Sequence, residues 1–384
     1  MTDAVIVSAV RTPLGIGKPG KGALSEIHPV DLSAVTLNAL VDRAGLDAEL
    51  VDDVIWGCVT QVGEESTNIA RNAVLAAGWS EDTTGVSIDR QCGSSQQALS
   101  FAAATVLAGH SDVVIAGGVE SMSRIPMFSN AVGGEGPYGP AMKARYNDGL
   151  VHQGISAEMI AKQWGLSREY LDGLAVISHE RADAANAAGL LADEIVPVTT
   201  PAGVVDTDQG IRAGTTLESL SALKPPFDEN GVVTAGNASQ ISDGAAALLV
   251  MTDAKARELG VKPIARVHTV ALAGVDPVIM LTAPIPATAK VLAKSGLSLS
   301  DIGTFEVNEA FATVLGAWLA DTGVDHALVN PRGGAIALGH PLGASGARLT
   351  TTMLHHMQAN GIRYGLQTMC EGGGMANATI LELL

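Results

Sequence analysis

The stretch "CGSSQQALSFAAATVLAGHSDVVIAGG" (92–118) decides the fold, because the same plan returns in "ASGARLTTTMLHHMQANGIRYGLQTMCEGGG" (344–374). Each copy has the pattern of a helix, then a glycine stop, then a buried strand that runs into two or three glycines. A pattern that recurs over this length indicates an internal duplication rather than chance. The sequence therefore predicts two copies of one α/β unit.

The duplicated unit extends upstream of these helices. "PATAKVLAKSGLSLSDIGTFEVNEA" (286–310) repeats the order of helix, stop, aspartate and strand that is found in the first half. Cys92 lies 39 positions after Asp53, and His340 lies the same 39 positions after Asp301. Alternating strands and helices predict parallel, βαβ-type layers. A pseudo-twofold axis between the copies would bring matching strand ends to one cleft, where we expect the active site.

A chain of 384 residues is long enough for two or three domains. Between the copies the composition changes to Met-, Pro- and Gly-rich segments, which predicts an inserted loop domain whose last strand rejoins the first half. Insertions of this size on a rigid scaffold commonly shape ligand sites. The predicted division is the N-terminal core half (1–119), the inserted loop domain (120–245), the return of the N-terminal half (246–268) and the C-terminal core half (269–384).

Charge and cysteine content exclude several classes of protein. The net charge is −17, so the chain lacks the basic balance that phosphate neutralisation by a nucleic-acid-binding protein requires, although a local basic patch for a small phosphorylated ligand remains compatible with it. Three cysteines form no disulfide framework, which favours a reducing compartment. No targeting pattern and no apolar run of about 20 residues is present. These features predict a soluble, cytoplasmic protein without a membrane span.

One phosphate-binding motif occurs and is rejected. "GIGKPG" (15–20) matches G-x-G-x-x-G after a strand. The proline within it and the lack of an apolar helix directly after it argue against a dinucleotide site. We therefore predict a loop here.

Cys92 and His340 are the first candidates for chemistry. Cys92 follows a strand and opens a helix, where exposed N–H groups and the helix dipole would stabilise a thiolate and lower its pKa. The alternative is a small buried residue at a tight strand–helix junction. His340 lies in "RGGAIALGHPLGASGAR" (332–348), whose glycines let backbone N–H groups approach a ligand. That setting favours a base near a thiol over a structural histidine.

Two further segments carry polar or thiol side chains at predicted strand ends. Asn308 and Glu309 follow a strand, where they are either the N-cap of the next helix or an amide that positions a water or an oxyanion. Cys370 sits beside three glycines, which suggests a thiol that a substrate can reach. Cys58 lies within a strand pattern and is most simply a core residue.

Taken together, these motifs resemble the thiolases, the family of acetyl-CoA acetyltransferases and 3-ketoacyl-CoA thiolases. The resemblance implies a duplicated five-layer αβαβα core and an inserted loop domain that binds CoA. It also implies assembly as a homodimer or as a homotetramer formed from two dimers. CoA and acyl-CoA thioesters would be substrates, with no separate cofactor and no metal. The motifs that carry the resemblance run in the family's order: "SAVRTPLG", "QCGSSQQAL", "AGGVESMS", "TAGNASQISDGAAA", "EVNEAFA", "GGAIALGHPLGASGAR" and "CEGGGMA".

The resemblance assigns five residues to catalysis. Cys92 is similar to the nucleophile that takes the acyl group, and His340 to its activating base, which also serves as an oxyanion donor. Asn308, through a water, would complete the hole around the thioester oxygen. Cys370 resembles the second cysteine, which moves the proton at the α-carbon. The backbone N–H groups of Cys92 and Gly372 would form the oxyanion hole of the acyl-enzyme.

Five more residues are expected to bind substrate. His152 and Ser239 resemble contacts to the pantetheine arm, and Lys224 stands where many relatives carry an arginine near the nucleotide. Met280 and Phe311 would line the acyl pocket. Cleavage of a 3-ketoacyl-CoA by CoA, or the reverse condensation of two acetyl-CoA, would then proceed through an acyl-enzyme with ping-pong kinetics.

Three departures from the family pattern are notable. Asn330-Pro331-Arg332 stands where many relatives read Asn-x-Asn before the double glycine, a change that could alter the loop that carries His340. Glu371 stands where relatives often have an apolar residue; a carboxylate facing Cys370 would raise the pKa of that thiol. Gln153 replaces a methionine and leaves the acyl-chain preference open.

Competing functions remain at the level of sequence. A decarboxylating ketoacyl synthase shares the fold and the cysteine nucleophile but does not require a second cysteine in a C-x-G-G-G turn. A non-catalytic acyl-CoA or lipid carrier would lose the catalytic side chains that are all present here. A redox switch through a Cys92–Cys370 disulfide would be an addition to catalysis. Chain length, a steroid or linear acyl group, and the physiological direction are not determined.

Overall fold

The computed structural model describes residues 2–146 and 149–384. The strands are β1 Ala4–Arg11, β2 Gly15–Ile16, β3 Asp53–Gly57, β4 Thr84–Ile88, β5 Val113–Ser121, β6 Val198–Thr200, β7 Gly203–Val205, β8 Ser242–Thr252, β9 Ala265–Gly274, β10 Thr304–Val307, β11 Tyr364–Glu371 and β12 Met375–Leu383. The helices are α1 Pro29–Ala44, α2 Ile69–Ala76, α3 Ser94–Leu107, α4 Pro140–Arg145, α5 Gln153–Trp164, α6 Arg168–Ala187, α7 Leu217–Ser221, α8 Asp253–Leu259, α9 Pro284–Ser295, α10 Ala312–Thr322, α11 Ala335–Leu338 and α12 Ser345–Asn360.

The first half forms a mixed sheet in the order β1-β8-β5-β3-β4. As predicted from the alternation of strands and helices, β3 runs parallel to both β4 and β5. In contrast, β8 is antiparallel to β5 and to β1. The predicted parallel βαβ pairing is therefore confirmed for β3, β4 and β5, while β8, which returns from the long insertion rather than from a crossover helix, makes the sheet mixed.

The second half repeats this arrangement with the order β9-β12-β11-β10. β10 and β11 are parallel, whereas β12 folds back antiparallel to β11 through the glycine turn. The two halves are also joined edge to edge, since Val5 and Ile6 of β1 pair with Arg266 and Ala265 of β9. The hydrogen-bonded strands consequently form one continuous path through both halves.

Five layers result, as the resemblance implied. The central layer contains α3 of the first half and α12 of the second, whose residues share one buried cluster with both sheets. Helix α1 packs on the outer face of the first sheet, and α9 and α10 pack on the outer face of the second. Gln96 of α3 donates from Nε2 to the carbonyl of Gln367 on β11, at 3.3 Å. Each central helix therefore contacts the opposite half as well as its own.

Local sequence explains where the first helix begins and ends. The spacing predicted a helix from position 32 to Gly45; α1 starts three residues earlier, at Pro29, which is the first helical position where a missing N–H is tolerated. His28 caps the helix by accepting from the N–H of Val30. Gly45 ends it in a left-handed conformation with φ 64°, as the stop signal predicted.

The insertion lies between β5 and β8 and contains α4 to α7 and the small β6–β7 pair. Its last strand, β8, pairs with β1 and β5 and so rejoins the first sheet, as the sequence predicted. The segment 246–268 ends inside β9, which belongs mainly to the second sheet. The rejected phosphate motif begins with the two-residue strand β2, which the loop prediction missed, and continues as the predicted loop over residues 17–20.

The two halves approach each other through glycines. A Cβ on Gly346 of α12 would lie 2.1 Å from the backbone nitrogen of Gln96 on α3. A Cβ on Gly343 would lie 2.5 Å from the carbonyl oxygen of Val119 and 2.6 Å from that of Gly57. Only glycine fits at such distances, so these residues set the spacing between the halves. Across the residues covered by the structure, no helix has both the length and the apolarity to span a membrane.

Candidate active site

Cys92 sits in a strained turn between β4 and α3. Gln91, the residue before it, has a φ of 50°, which is unusual for a residue with a side chain. The turn is tied to the helix by Ser94, whose hydroxyl donates to the carbonyl of Gln91 at 2.6 Å and accepts from the N–H of Arg90 at 2.9 Å. The helix starts at Ser94 with Gly93 as its N-cap. Cys92 therefore precedes the helix instead of opening it.

The resting protonation state of Cys92 differs from the prediction. Burial raises the pKa of its thiol to about 12, and the neighbouring Glu371 raises it further. The expectation that the helix N-terminus would lower this pKa is wrong for the resting enzyme, because loss of hydration outweighs the helix dipole. At neutral pH Cys92 is a thiol, and its proton must leave as it attacks.

The end of β11 brings Cys370 to this turn. Asn377, on the neighbouring β12, donates from Nδ2 to the carbonyl of Gly93 at 3.3 Å. A Cβ on Gly372 would lie 3.0 Å from Oε1 of Gln91, so the glycine turn of the second half abuts the cysteine turn of the first. Burial, followed by Cys92 and then Glu371, raises the pKa of Cys370 well above its ordinary value. Both thiols are thus protonated neighbours.

His340 is held by its backbone and its ring. Its N–H donates to the carbonyl of Gln240 and to the hydroxyl of Ser242, each at 3.1 Å. Its Nδ1 lies 2.6 Å from the hydroxyl of Ser345, which itself donates to the carbonyl of Pro341 at 2.7 Å. Because that hydroxyl has one proton, Nδ1 must be the donor to Ser345. Nε2 is therefore the basic nitrogen of the ring.

Asn308 completes this pair. Its Nδ2 lies 3.3 Å from Nε2 of His340, and its backbone N–H donates to the carbonyl of Thr368 on β11 at 3.1 Å. Burial, aided by Arg348, lowers the pKa of His340 to about 3, so the ring is neutral and Nε2 can accept a proton. The N-cap of α10 is Phe311, so the alternative in which Asn308 and Glu309 cap that helix is wrong.

Glu309 instead holds the backbone around Asn308 in place through hydrogen bonds to its buried carboxylate. Its carboxylate accepts from the hydroxyl of Ser178 at 2.7 Å, from Nδ2 of Asn330 at 2.8 Å and from the N–H of Ile336 at 3.1 Å. Asn330 also exchanges two hydrogen bonds with the backbone of Val307, the last residue of β10. These bonds fix the strand end that presents Asn308.

The Pro331-Arg332 departure has a structural consequence. Arg332 is buried, and its guanidinium donates to the carbonyl of Leu190 at 2.8 Å and to that of His355 at 3.1 Å. The loop that leads to His340 is thereby anchored both to the insertion and to α12. The altered turn is held by an arginine that spans three regions of the chain.

A second buried acid joins the halves. Glu120 accepts from the N–H groups of Val59, Thr60 and Gly343, at 2.7–3.0 Å. It also lies in the one group that has metal-ligand spacing in the part of the chain that the structure describes: the ligand atoms of Cys58, Glu65 and Glu120 lie within 4.8 Å of one another. Three backbone donors already occupy the Glu120 carboxylate, which explains the cluster as a joint between strand ends and loop. Cys58 lies just past β3 and is buried, in agreement with a core residue.

Two predicted acyl-pocket residues lie together with Cys370. Met280 and Phe311 are buried in the same apolar cluster as this cysteine. Phe227, at the edge of the cluster, packs edge-on to Phe311 with ring centroids 6.4 Å apart. The ring of His152 also stacks on Phe227, with centroids 5.1 Å apart. The aromatic rings therefore connect the exposed His152 to the Cys370 pocket.

Ser239, Gln153 and Lys224 lie at different depths in the structure. Ser239 donates its N–H to the carbonyl of Ala310 at 3.0 Å, next to Phe311. Gln153 opens α5, and its Nε2 lies 3.5 Å from where a Cβ on Gly372 would be. Lys224 is exposed, three positions before Phe227. Ser239 thus lies next to the predicted acyl-pocket residue Phe311 and Gln153 lies next to the Gly372 turn, whereas Lys224 lies at the surface.

Sequence reasoning missed several supporting residues. Ser345 fixes the tautomer of His340, and Gln240 binds the carbonyls of Gly210, Ile336 and Ala337 through its amide nitrogen. No local sequence pattern around Ser345 or Gln240 predicts these contacts. Phe227, in "KPPF", had a weak signal as an aromatic residue in a proline-rich loop.

Comparison with known proteins supports the resemblance. Residues 4–254 match the family model described as "Thiolase, N-terminal domain", and residues 261–383 match "Thiolase, C-terminal domain". The chain is 50% identical over 391 residues to a steroid 3-ketoacyl-CoA thiolase, FadA6, of Mycobacterium tuberculosis, covering 100% of this chain and 95% of that protein. It is 44% identical over 392 residues to the 3-ketoacyl-CoA thiolase FadA of Escherichia coli (strain K12), covering 100% of both.

The fold agrees with a solved structure. The crystal structure of the Bacillus anthracis acetyl-CoA acetyltransferase superposes with a TM-score of 0.91 and 39% sequence identity, covering 100% of this chain and 99% of that one. Both family models and full-length similarity to these proteins lead to one conclusion: the chain belongs to the thiolase family.

Proposed function

We propose that the chain catalyses the thiolytic cleavage of 3-ketoacyl-CoA by CoA, through an acyl-enzyme on Cys92. One observation carries the proposal: the cysteine turn of the first half and the Cys370 strand end of the second half are bound to each other through Asn377 and Gly93. Two neighbouring thiols from different halves suit a reaction that needs both a nucleophile and a proton carrier.

The steps follow from the neutral resting state of the site. Cys92 Sγ attacks the 3-keto carbon and transfers its proton to Nε2 of His340. The bond between C2 and C3 then breaks, and acetyl-CoA leaves as an enolate that Cys370 protonates at C2. A CoA thiol next attacks the acyl-Cys92 thioester and gives its proton to the Cys370 thiolate, while Cys92 departs and recovers its proton from His340. All groups return to their starting state.

The same nitrogen of His340 serves two roles in this scheme. Nε2 accepts the proton of Cys92, and the resulting N–H can donate to a developing oxyanion. Asn308 lies 3.3 Å from Nε2 and is placed to hold the second donor of that hole through a water. The N–H groups of Cys92 and Gly372, which come from the two abutting turns, would serve the acyl-enzyme.

The substrate path is proposed along the aromatic rings. The pantetheine arm would pass His152 and Ser239, with the nucleotide near Lys224 and the acyl group against Met280 and Phe311. CoA enters as a substrate, and no cofactor or metal takes part in the steps. The fact that all three cysteines are free is compatible with the reducing cytoplasm that we propose as the location.

A substrate panel tests the proposal. CoA-dependent cleavage is measured with acetoacetyl-CoA, medium- and long-chain 3-ketoacyl-CoA and a bulky branched thioester. We expect cleavage of at least one, with ping-pong kinetics and an acyl group on Cys92 in mass spectra. Decarboxylation of a malonyl thioester instead would favour a ketoacyl synthase, and a folded protein that binds but never cleaves would favour a carrier.

The proposed assembly is a homodimer, or two dimers forming a homotetramer. β4 ends the hydrogen-bonded strand path, and Val86 on it is 42% exposed. Phe101 and Leu107 of α3 are also exposed, which leaves apolar surface beside a free strand edge. Light scattering of the protein and of Val86→Lys tests this proposal: we expect a dimer or tetramer that the lysine weakens, and a monomeric unmodified protein would contradict it.

The redox addition has its own test. Cys92 and Cys370 are free thiols in the structure. If they act as a switch, mass spectrometry of the unreduced protein after mild oxidation shows a peptide that joins them. Absence of that peptide removes the switch and leaves catalysis intact.

A further inference from the structure

Glu371 is a buried acid that the proposed steps do not use. It is the last residue of β11, its side chain is fully buried, and neither carboxylate oxygen makes a hydrogen bond of ordinary geometry among the described residues, although the backbone N–H of Asn377 is near enough to favour the ionised form. In the strand register Cys370 pairs with Ala376 and Glu371 pairs with Met375. Successive side chains of a strand point to opposite faces, so Glu371 points away from the face that carries Cys370.

The carboxyl group instead lies against the turn that carries Cys92. A Cβ on Gly93 would be 2.1 Å from Oε1 of Glu371 and 2.8 Å from Oδ1 of Asn377. That Oδ1 is also buried without a hydrogen-bond partner among the described residues, while the Nδ2 of the same amide binds the Gly93 carbonyl. Glu371 and Asn377 thus contact the N-cap of α3, one residue past the nucleophile.

The charged groups around this position come from three elements. Arg90 and Asp89, in the loop before α3, act on Glu371 with opposite signs. Cys92 on the same turn and Cys370 on β11 are the titratable thiols, and Glu371 disfavours the ionised form of both. Glu120 also acts on Cys92, but its carboxylate is fixed by three backbone N–H groups.

We propose that Glu371 is a positioning residue of the thiolase reaction, whose neutral carboxyl supports the Cys92–Gly93 turn and whose ionised carboxylate suppresses the Cys92 thiolate. This inference rests on the proposed function only in naming Cys92 as the nucleophile. It also adds the cysteine turn of the other half to Cys370, which the sequence suggested, as a group on which Glu371 acts.

The neutral and the ionised forms of the Glu371 carboxyl differ in one hydrogen bond, to Asn377, and in one negative charge. A neutral carboxyl can donate its proton to Oδ1 of Asn377, which satisfies both buried groups. The N-terminus of α3 then stabilises negative charge on Cys92 alone. An ionised Glu371 repels Oδ1 and competes with Cys92 for that stabilisation. Burial raises the pKa of Glu371 to about 8, so the change falls at mildly alkaline pH.

The test measures alkylation of Cys92 by iodoacetamide between about pH 6 and 10, quantified on the Cys92 peptide by mass spectrometry. A like charge at this range raises a thiol pKa by about one unit, which is about tenfold in thiolate below that pKa. We therefore expect Glu371→Gln to alkylate about tenfold faster than the unmodified enzyme above pH 8, with equal rates below pH 7. Glu371→Asp, which keeps the charge, should behave like the unmodified enzyme, and the Cys58 peptide should not change.

A second variant keeps the test decisive if Glu371→Gln does not fold. Arg90→Gln removes the cation that favours ionised Glu371, so suppression of Cys92 alkylation should begin at higher pH. Unchanged alkylation profiles in folded variants, with native circular dichroism, would overturn the proposal. Because alkylation does not require turnover, loss of thiolysis in an enzyme whose alkylation follows the expected pattern would count against the proposed function alone.

Discussion

The central helices α3 and α12 of the two halves both begin with a serine, but the two serine hydroxyls have different roles. Each helix begins at a serine whose hydroxyl binds back to the preceding loop. In the first half, the Ser94 hydroxyl bonds to backbone groups of Arg90 and Gln91, and so it shapes the turn that carries the buried Cys92. In the second half, Ser345 bonds to the ring of His340. One copy positions a backbone, and the other orients a side chain.

The strand exits of the two halves differ more strongly. β5 of the first half leads into an insertion that runs from Met122 to Ile241 before β8 returns. β11 of the second half turns at once into β12, where Gly373 and Gly374 adopt φ values of 84° and 82°. The long insertion after β5 contains His152, Phe227 and Ser239, whereas the short turn after β11 presents Cys370 and Gly372. Duplication provided the scaffold, and unequal loops made it asymmetric.

Replacement of each of the two thiols in turn should give the largest difference in activity between changes in the two halves. Cys92→Ala is expected to lower kcat by about 10⁴-fold or more, because no acyl-enzyme forms. Cys370→Ala should lose carbon–carbon cleavage to a similar degree yet retain a slower, measurable exchange of labelled CoA into acetyl-CoA, since that exchange moves no proton at carbon and loses only the group that takes the proton of the CoA thiol. Mass spectrometry and an isotope-exchange assay measure the two outcomes. Retention of an acyl-enzyme by Cys92→Ala would refute the division of roles.

Close packing between the two halves, and with it the free energy of unfolding, should depend on Gly346 of α12. Gly346→Ala places a Cβ against the backbone of Gln96, so either helix must move, at a cost of about 3 kcal/mol or more in the free energy of unfolding. Gly173→Ala is the matched control, because nothing lies within 4 Å of its Cβ position on α6. That variant should gain about 0.5–1 kcal/mol. Denaturant unfolding of both decides the matter, and equal stabilities would contradict the packing argument.

Sequence reasoning predicted the duplicated unit well and the electrostatics poorly. The helix and strand patterns located α1, α3 and β8, because hydrophobic periodicity and glycine stops are local signals. The pKa of Cys92 was expected to fall and instead rises, because burial by the other half of the chain outweighs a local helix dipole. The predicted rise in the pKa of Cys370 through Glu371 is confirmed, but the strand alternation that aims the carboxyl at Gly93 was not anticipated. Contacts between distant segments, such as those of Ser345 and Arg332, have no local signal.

The difference between the two serines can be tested directly. Ser345→Ala removes the acceptor that fixes the tautomer of His340, so kcat should fall by about 10- to 100-fold while KM changes little. Ser345→Thr keeps a hydroxyl and should recover part of the loss. Ser94→Ala, in contrast, should slow alkylation of Cys92 by loosening its turn. Steady-state kinetics and alkylation rates measure both effects, and identical behaviour of the two alanine variants would argue against distinct roles.

The smallest expected effect concerns the acid cluster beneath the first half's strand ends. Burial, and then Glu120, raises the pKa of Glu65 well above its ordinary value, while its Oε1 accepts from the N–H of Ser121 at 2.7 Å. The folded state therefore keeps Glu65 neutral, and its stability is complete below the unfolded pKa of about 4.3 and declines as pH rises through the raised value. Glu65→Gln keeps the acceptor and removes this titration. Between pH 6 and 8.5 its Tm should decline by about 1–3 °C less than that of the unmodified protein. Glu49→Gln, an exposed substitution with the same change in charge, should leave the decline unaltered; if it matches Glu65→Gln, the effect belongs to net charge and not to the buried cluster.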